Sequence, residues 1–214
     1  MRADQAIYTS LPRAGQSGYH VVGRSRGVSD AEARALASWS PSHDALVVDG
    51  ANRASVNVHP LPGGRVAVSR TCEGPPEYSG RGGRQIYTHA LLLDAEGLRR
   101  SGAHPIAVFR DAMALGILRY RADPPPTLDE VELGRCHPPI GPGPGGPPPE
   151  GLDLAALRSR LESGASVEVR FPGDRLRLAE ALLGSLRREL AEALSVSTSL
   201  RPSSARPFRL CLLP

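Results

Sequence analysis

Apolar and polar positions along the first half of the chain alternate in a way that predicts strands more often than helices. QAIYTSL and GYHVVGRS are two β-rich runs joined by the turn-forming PRAGQS. Ser29 followed three residues later by Glu32 has the spacing of a capping box, so a helix is predicted from Asp30 to about Ser38, ending near Pro41. ALVVDG, SVNVHPL and RVAVSRTC read as further strands, the last two joined through LPGG as a hairpin. SVNVHPL alternates, with Val56 and Val58 on one face and Asn57 and His59 on the other. QIYTHALLLD is the next predicted strand. AVFRDAMALGIL is predicted to be helical, because Val108, Ala112, Leu115 and Leu118 fall on one face.

The pattern breaks between Ala122 and Gly151, where proline and glycine dominate. Proline removes backbone donors and glycine raises the entropic cost of order, so residues 122–151 are expected to form an extended connector. Its first half, TLDEVEL, has enough apolar residues to dock as a short strand or turn. Beyond it, DLAALRSRLESG predicts a helix stopped by Gly164, and VEVRF a strand. DRLRLAEALLGSLRRELAEAL predicts one long helix with Leu176, Ala179, Leu183, Leu186, Leu190 and Ala193 on its apolar stripe. SVSTSL and PFRLCLLP read as closing strands. The expected fold class is therefore α+β. A mainly antiparallel N-terminal sheet with a few helices (1–121) precedes the Pro/Gly-rich linker (122–151) and a small βαβ-like α/β piece (152–214). The apolar last strand leads to the expectation that the chain is the front of a longer architecture, or that this edge meets a partner.

Composition narrows the function classes. The length of 214 residues suits one or two domains, and glycine (23) and proline (21) imply much turn structure. All 26 basic side chains are arginine, and the net charge of +4 is mild. The nearest approach to a basic stripe, from Arg81 and Arg84 through Arg99, Arg100, Arg110, Arg119 and Arg121, is offset by Glu77, Asp94, Glu96 and Asp111. Such dispersion argues against nucleic-acid binding. No signal-peptide core or run of transmembrane length is present, and three cysteines without a C-x-x-C pair suggest reduced thiols. A cytoplasmic location is expected.

Candidate chemistry is sparse. The stretch from Gly18 to Ser25 differs from a phosphate-binding loop by Arg24 in place of lysine. Tyr19, His20, Val21 and Val22 are β-formers, however, and the first helix start is Ser29. The stretch is therefore read as a strand whose amides are engaged with neighbouring strands. The six histidines show no metal-ligand spacing, no cofactor motif occurs, and Cys72 with His89 makes only a weak nucleophile–base pair. The densest polar cluster is PPEYSGRGGRQIYTHALLLD. Its Tyr78, Arg81, Arg84, Tyr87 and His89, with Tyr19 and His20, are the candidate interaction or anion-binding residues. A binding pocket or enzyme site here requires His20, His89 and Arg81 or Arg84 to converge.

The ordered series DQAIYTS, GYHVVGRSRG, a capped helix ending in SP, PLPGGRVAVSRT and EYSGRGGRQIYTH resembles the N-terminal domain, type 2, of the bacterial GTPase-associated protein 1 family over about residues 1–120. The C-terminal helix and strands are similar to the middle region of such proteins. The matched positions are Gln5, Tyr8, Thr9, Ser10, Gly18, Tyr19, Ser25 and Gly27, then Tyr78, Arg81, Gly82, Gly83, Arg84, Tyr87, Thr88 and His89. The resemblance implies a non-enzymatic interaction or regulatory module of an NTP-dependent bacterial conflict system. It carries over no catalytic residue and no cofactor. The implied partner is a protein, a small GTPase or another component of the same system. The alternative reading of the residues is a small-molecule or anion-binding domain, or an enzyme, built on the 78–89 cluster.

Overall fold

The computed structural model describes residues 1–12, 18–42, 44–50, 52–78, 82–101, 104–134 and 152–214. Most of the predicted strands form, and they join one mixed sheet of ten strands among the described residues. In chain order the first are β1 (Arg2–Ser10) and β2 (Tyr19–Ser25), then helix α1 (Asp30–Trp39), β3 (Ala54–Pro60), β4 (Arg65–Pro76) and β5 (Arg84–Asp94). Helices α2 (Ala95–Ser101) and α3 (Pro105–Ala114) follow, with the short strands β6 (Thr127–Leu128) and β7 (Val131–Glu132). The remainder is α4 (Leu154–Glu162), β8 (Val167–Arg170), α5 (Arg175–Ser185), α6 (Arg188–Ala193), β9 (Val196–Ser197) and β10 (Leu210–Leu213). The strand order is β6-β2-β1-β5-β4-β3-β9-β10-β8, with β7 on β1.

Antiparallel pairing runs from β2 to β9, and the C-terminal strands β9, β10 and β8 are mutually parallel. The last three strands thus extend the first sheet through the β3–β9 pairing and do not form a separate βαβ piece. In sheet order β10 lies between β8 and β9, which the linear pattern of strand, helix and strand could not foretell. Residues 135–151 of the expected linker lie outside the described residues. The TLDEVEL half does dock: β6 pairs with β2, β7 with β1, and Leu128 and Leu133 are buried.

Helices pack on one face of the sheet along β5, β4, β3 and the C-terminal strands. Val56, Val58, Val66, Val68, Leu91 and Leu93 pack under Leu98 of α2 and Val108, Phe109 and Ala112 of α3. The same side continues beneath α4 and α5, where Val167, Val169, Val196, Leu210 and Leu212 meet Leu161, Leu178, Ala179, Leu182 and Leu183. On the opposite face α1 places Leu36 on Ala6, Ala67, Ala90 and Leu92. Its start carries the predicted capping box, Ser29 and Glu32 serving each other's backbone N–H.

Two helical expectations and one strand are revised. Leu115 is exposed, because α3 stops at Ala114 and Gly116 takes a left-handed φ of 74°; Leu118 is buried from beyond the helix end. The long C-terminal helix is two helices, since Leu186 adopts extended backbone just after Gly184 and Ser185. ALVVDG contributes an isolated bridge, Leu46 to Leu200, and no full strand. Helix α2 was not foreseen.

An ion pair with a fully buried arginine ties the C-terminal region to the loop before β3. The Arg175 side chain is fully buried and donates to Asp49 (2.5 Å), the Thr198 carbonyl (2.6 Å) and Ser199 Oγ (2.9 Å). Burial alone would raise the Asp49 carboxyl, but hydrogen bonds from Asn52 and Arg175 outweigh it and bring it down to about 2. Removing Asp49 leaves the fully buried Arg175 guanidinium without its counter-charge. Asp49→Ala should therefore cost about 3–5 kcal/mol in urea unfolding. Arg177→Ala, which removes a mostly exposed side chain and its surface ion pair, should stay within about 0.5 kcal/mol.

Candidate functional site

The end of the sheet where β1, β2 and the β4–β5 hairpin meet gathers most of the polar residues singled out above. GYHVVGRS is a strand, its residues Tyr19, His20, Val21, Gly23 and Arg24 registered against β1. Gly23 is needed for contact rather than for phosphate: a Cβ there would sit 2.3 Å from the Pro125 carbonyl oxygen of the segment leading into β6. Arg24 is ion-paired with Asp30 at 2.7 Å. Gly27 has a similar packing role, since a Cβ would meet the Asp4 carboxylate at 2.3 Å. That carboxylate and Glu32 both bind Arg65, with Arg65 Nη1 2.5 Å from Asp4 and Arg65 Nε 2.6 Å from Glu32.

Side chains alternate across a strand, so the candidate residues divide between the two faces of the sheet. On the helix-covered face His89 is fully buried, opposite Ile7 of β1 and Arg70 of β4. Its Nε2 donates to Gln5 Oε1 at 2.9 Å, and Gln5 in turn donates from Nε2 to the Asp129 carbonyl at 2.7 Å. Burial, reinforced by the Arg121 and Arg70 cations and only partly offset by the Arg119 backbone, pushes His89 down to about 3. Tyr87, also buried, packs edge-on against His89 and Tyr120. Burial drives its phenol far above the ordinary tyrosine range.

Tyr19 belongs to the other face. It stacks on Tyr8 with centroids 5.7 Å apart, donates to Glu77 at 3.1 Å and accepts the Ile86 N–H at 3.0 Å. Burial, with Glu77 adding to it against the Ile86 hydrogen bond, raises the Tyr19 phenol to about 12. Ser10 Oγ donates to the same Glu77 carboxylate at 2.7 Å, and Gln85 Nε2 donates to the Ser10 carbonyl. Tyr78 is 45% exposed and accepts the Gly18 N–H at 3.0 Å. Arg84 is exposed and pairs with Glu73 at 3.3 Å. His20 sits at the start of β2 with its Nδ1 2.9 Å from the Gly18 carbonyl. Arg81 lies outside the described residues.

The structure thus joins Tyr19 to Tyr78 through Gly18 and Glu77, and Tyr87 to His89, but these are two clusters. His89 is fully buried, whereas Arg84 is exposed and paired with Glu73. Cys72 and His89 share a face, yet burial raises the Cys72 thiol and lowers His89 to about 3, both shifts against a thiolate–imidazolium pair. Among the described residues no group of three or more His, Cys, Asp or Glu is placed to hold a metal ion. No helix among them is long and apolar enough to cross a membrane.

Sequence reasoning missed Glu77, which organises Ser10 and Tyr19, and missed that Asn57 is buried. Asn57 Oδ1 accepts from Ser55 and Ser197, both at 2.8 Å, while Nδ2 reaches Thr71 at 3.1 Å and Ser69 at 3.4 Å. Thr71 continues the line to Thr88 at 2.8 Å. The cue was the row of Ser, Thr and Asn at alternate positions of several strands, a pattern that a solvated face shares.

Residues 2–133 match the family described as GTPase-associated protein 1, N-terminal domain type 2, and the chain belongs to that family. No curated protein and no solved structure matches it.

Two buried histidines generate a pH prediction. His89 is lowered to about 3 and His59 to about 4, in both cases chiefly by burial, so the unfolded chain binds more protons than the folded one below pH 6.5. Stability should be complete above that pH and fall by about 1.4 kcal/mol per pH unit per histidine as pH drops toward the folded values. His89→Gln should flatten the slope between pH 6 and 4 by about one proton, read from urea midpoints across pH.

Proposed function

We propose that this protein is a non-enzymatic interaction and regulatory module of a GTPase-associated bacterial system. It acts in the cytoplasm in NTP-dependent conflict, and its N-terminal region contacts a small GTPase or another component of the same system. Family membership over residues 2–133 carries this reading. The geometry supports it from a second direction. Several polar side chains of this region make internal bonds: His89 Nε2 to Gln5, Glu77 to Ser10 and Tyr19, and Asn57 to four neighbours. Among the described residues the hairpin end exposes Tyr78 and Arg84, an aromatic and a guanidinium, residue types enriched at protein interfaces.

The test is co-expression of the full chain with the GTPase and the other proteins encoded beside it, followed by affinity purification and titration of the complex. A Tyr78→Ala, Arg84→Glu double variant should bind at least about tenfold more weakly while unfolding at the same temperature as the parent. Failure of every co-encoded protein to associate at micromolar concentration would refute the proposal.

A further inference from the structure

A cleft of about 350 Å³ opens between α2, the start of α3 and α6, a size within the range of small-molecule sites. Val66, Leu98, Pro105 and Ala191 give it an apolar lining, and Arg99, Arg188, Glu192 and His104 supply its polar groups. Its walls come from both sides of the family boundary: α2 and α3 lie within residues 2–133, and α6 lies beyond them.

The hydrogen-bonding state of those polar groups defines the ligand. His104 caps α3, its Nδ1 accepting the Ile106 N–H at 3.2 Å. Burial, against a smaller opposing pull from Glu180, lowers the His104 pKa and favours the neutral ring. In a neutral ring whose Nδ1 accepts, Nε2 carries the proton, and this buried Nε2–H has no partner among the described residues. Arg188 spends Nε on Glu192 at 2.8 Å and Nη2 on the Arg99 carbonyl at 3.0 Å. Arg99 lies 2.6 Å from Glu96 and 4.0 Å from Glu192. A guanidinium has five N–H donors and no acceptor, so both arginines keep donors beyond these contacts. Glu192, the acidic member of the lining, already lies between the two arginines. The cleft is therefore apolar within, rich in donors and short of acceptors.

We propose that this cleft binds a small amphipathic acid. Its hydrocarbon part lies over Val66, Leu98, Pro105 and Ala191, and its carboxylate accepts from His104 Nε2–H and the two arginines. Such a ligand supplies the acceptor the wall lacks, whereas an amine of the same shape brings a second cation to Arg99 and Arg188. Because the walls come from both regions of the chain, occupancy also braces α6 against α2 and α3.

The test is calorimetric titration of the full chain with octanoate and with octylamine. Octanoate should bind saturably at millimolar or lower concentration, and octylamine at least about tenfold more weakly. Ala191→Trp, which fills the cleft, should abolish octanoate binding, and Ala95→Phe should do the same from the α2 wall if the first variant fails to fold. His104→Asn keeps a good helix cap but loses the Nε2 donor, and should weaken octanoate about tenfold with unchanged helicity. Absence of saturable binding, equal affinity for octylamine, or binding that survives a folded cleft-filling variant would each overturn the proposal.

Discussion

The amide of Asn57, buried at the centre of the sheet with each end bonded to two side chains, is the interaction on which the rest of the structure depends. An unsatisfied buried amide costs a few kcal/mol, so Asn57 is tolerable only with Ser69 and Thr71 of β4 on one side and Ser197 of β9 on the other. The network therefore fixes the β3–β4 register and at the same time requires a strand from the far end of the chain. Ser199 adds its backbone N–H to Ser55 Oγ, and Leu200 its own to Ser197 Oγ, so the turn after β9 is held by the same hydroxyls. Together with the Arg175–Asp49 pair, this makes the C-terminal region part of the first sheet.

The same accounting explains why polar residues here are poor evidence of chemistry. His89 and Gln5 look like a catalytic pair when written in a line of sequence, yet they hold β1 to β5 and reach the backbone of Asp129 between β6 and β7. Glu77 looks like a counter-charge to nearby arginines, yet it receives hydrogen bonds from Ser10 and Tyr19 and so anchors the end of the hairpin against β1 and β2. In a protein with few aromatic residues, hydrogen-bonded side chains carry part of the specificity that ring packing supplies elsewhere.

Much of this was legible in the chain. The strands around Ile7, Val22, Val58, Val68 and Leu91 follow from their alternation or β-branching, and the Ser29–Glu32 box locates the start of α1. The strand nature of Gly18 to Ser25 was readable because bulky β-formers occupy it and no helix follows at once. The site was less legible. Tyr19, Tyr78, Tyr87 and His89 are near one another in sequence or in pattern, but strand alternation sends Tyr19 to one face and Tyr87 and His89 to the other. The break after Ser185 was also hidden, because the apolar spacing continues through it into α6 while the backbone does not.

The sequence by itself determined the α+β class, most of the strand and helix segments, the family of the N-terminal region and the absence of a phosphate-binding loop, since these rest on local periodicity, capping and turn chemistry. Only the tertiary structure decided that β9, β10 and β8 complete the first sheet, that Asn57 and His89 are interior, and that His104 lines the cleft beside α6. Those outcomes depend on contacts between residues more than a hundred positions apart, such as Asn57 with Ser197, Arg175 with Asp49, or Gln5 with Asp129. Local propensity carries no information about such distances; the burial of both faces of one sheet does.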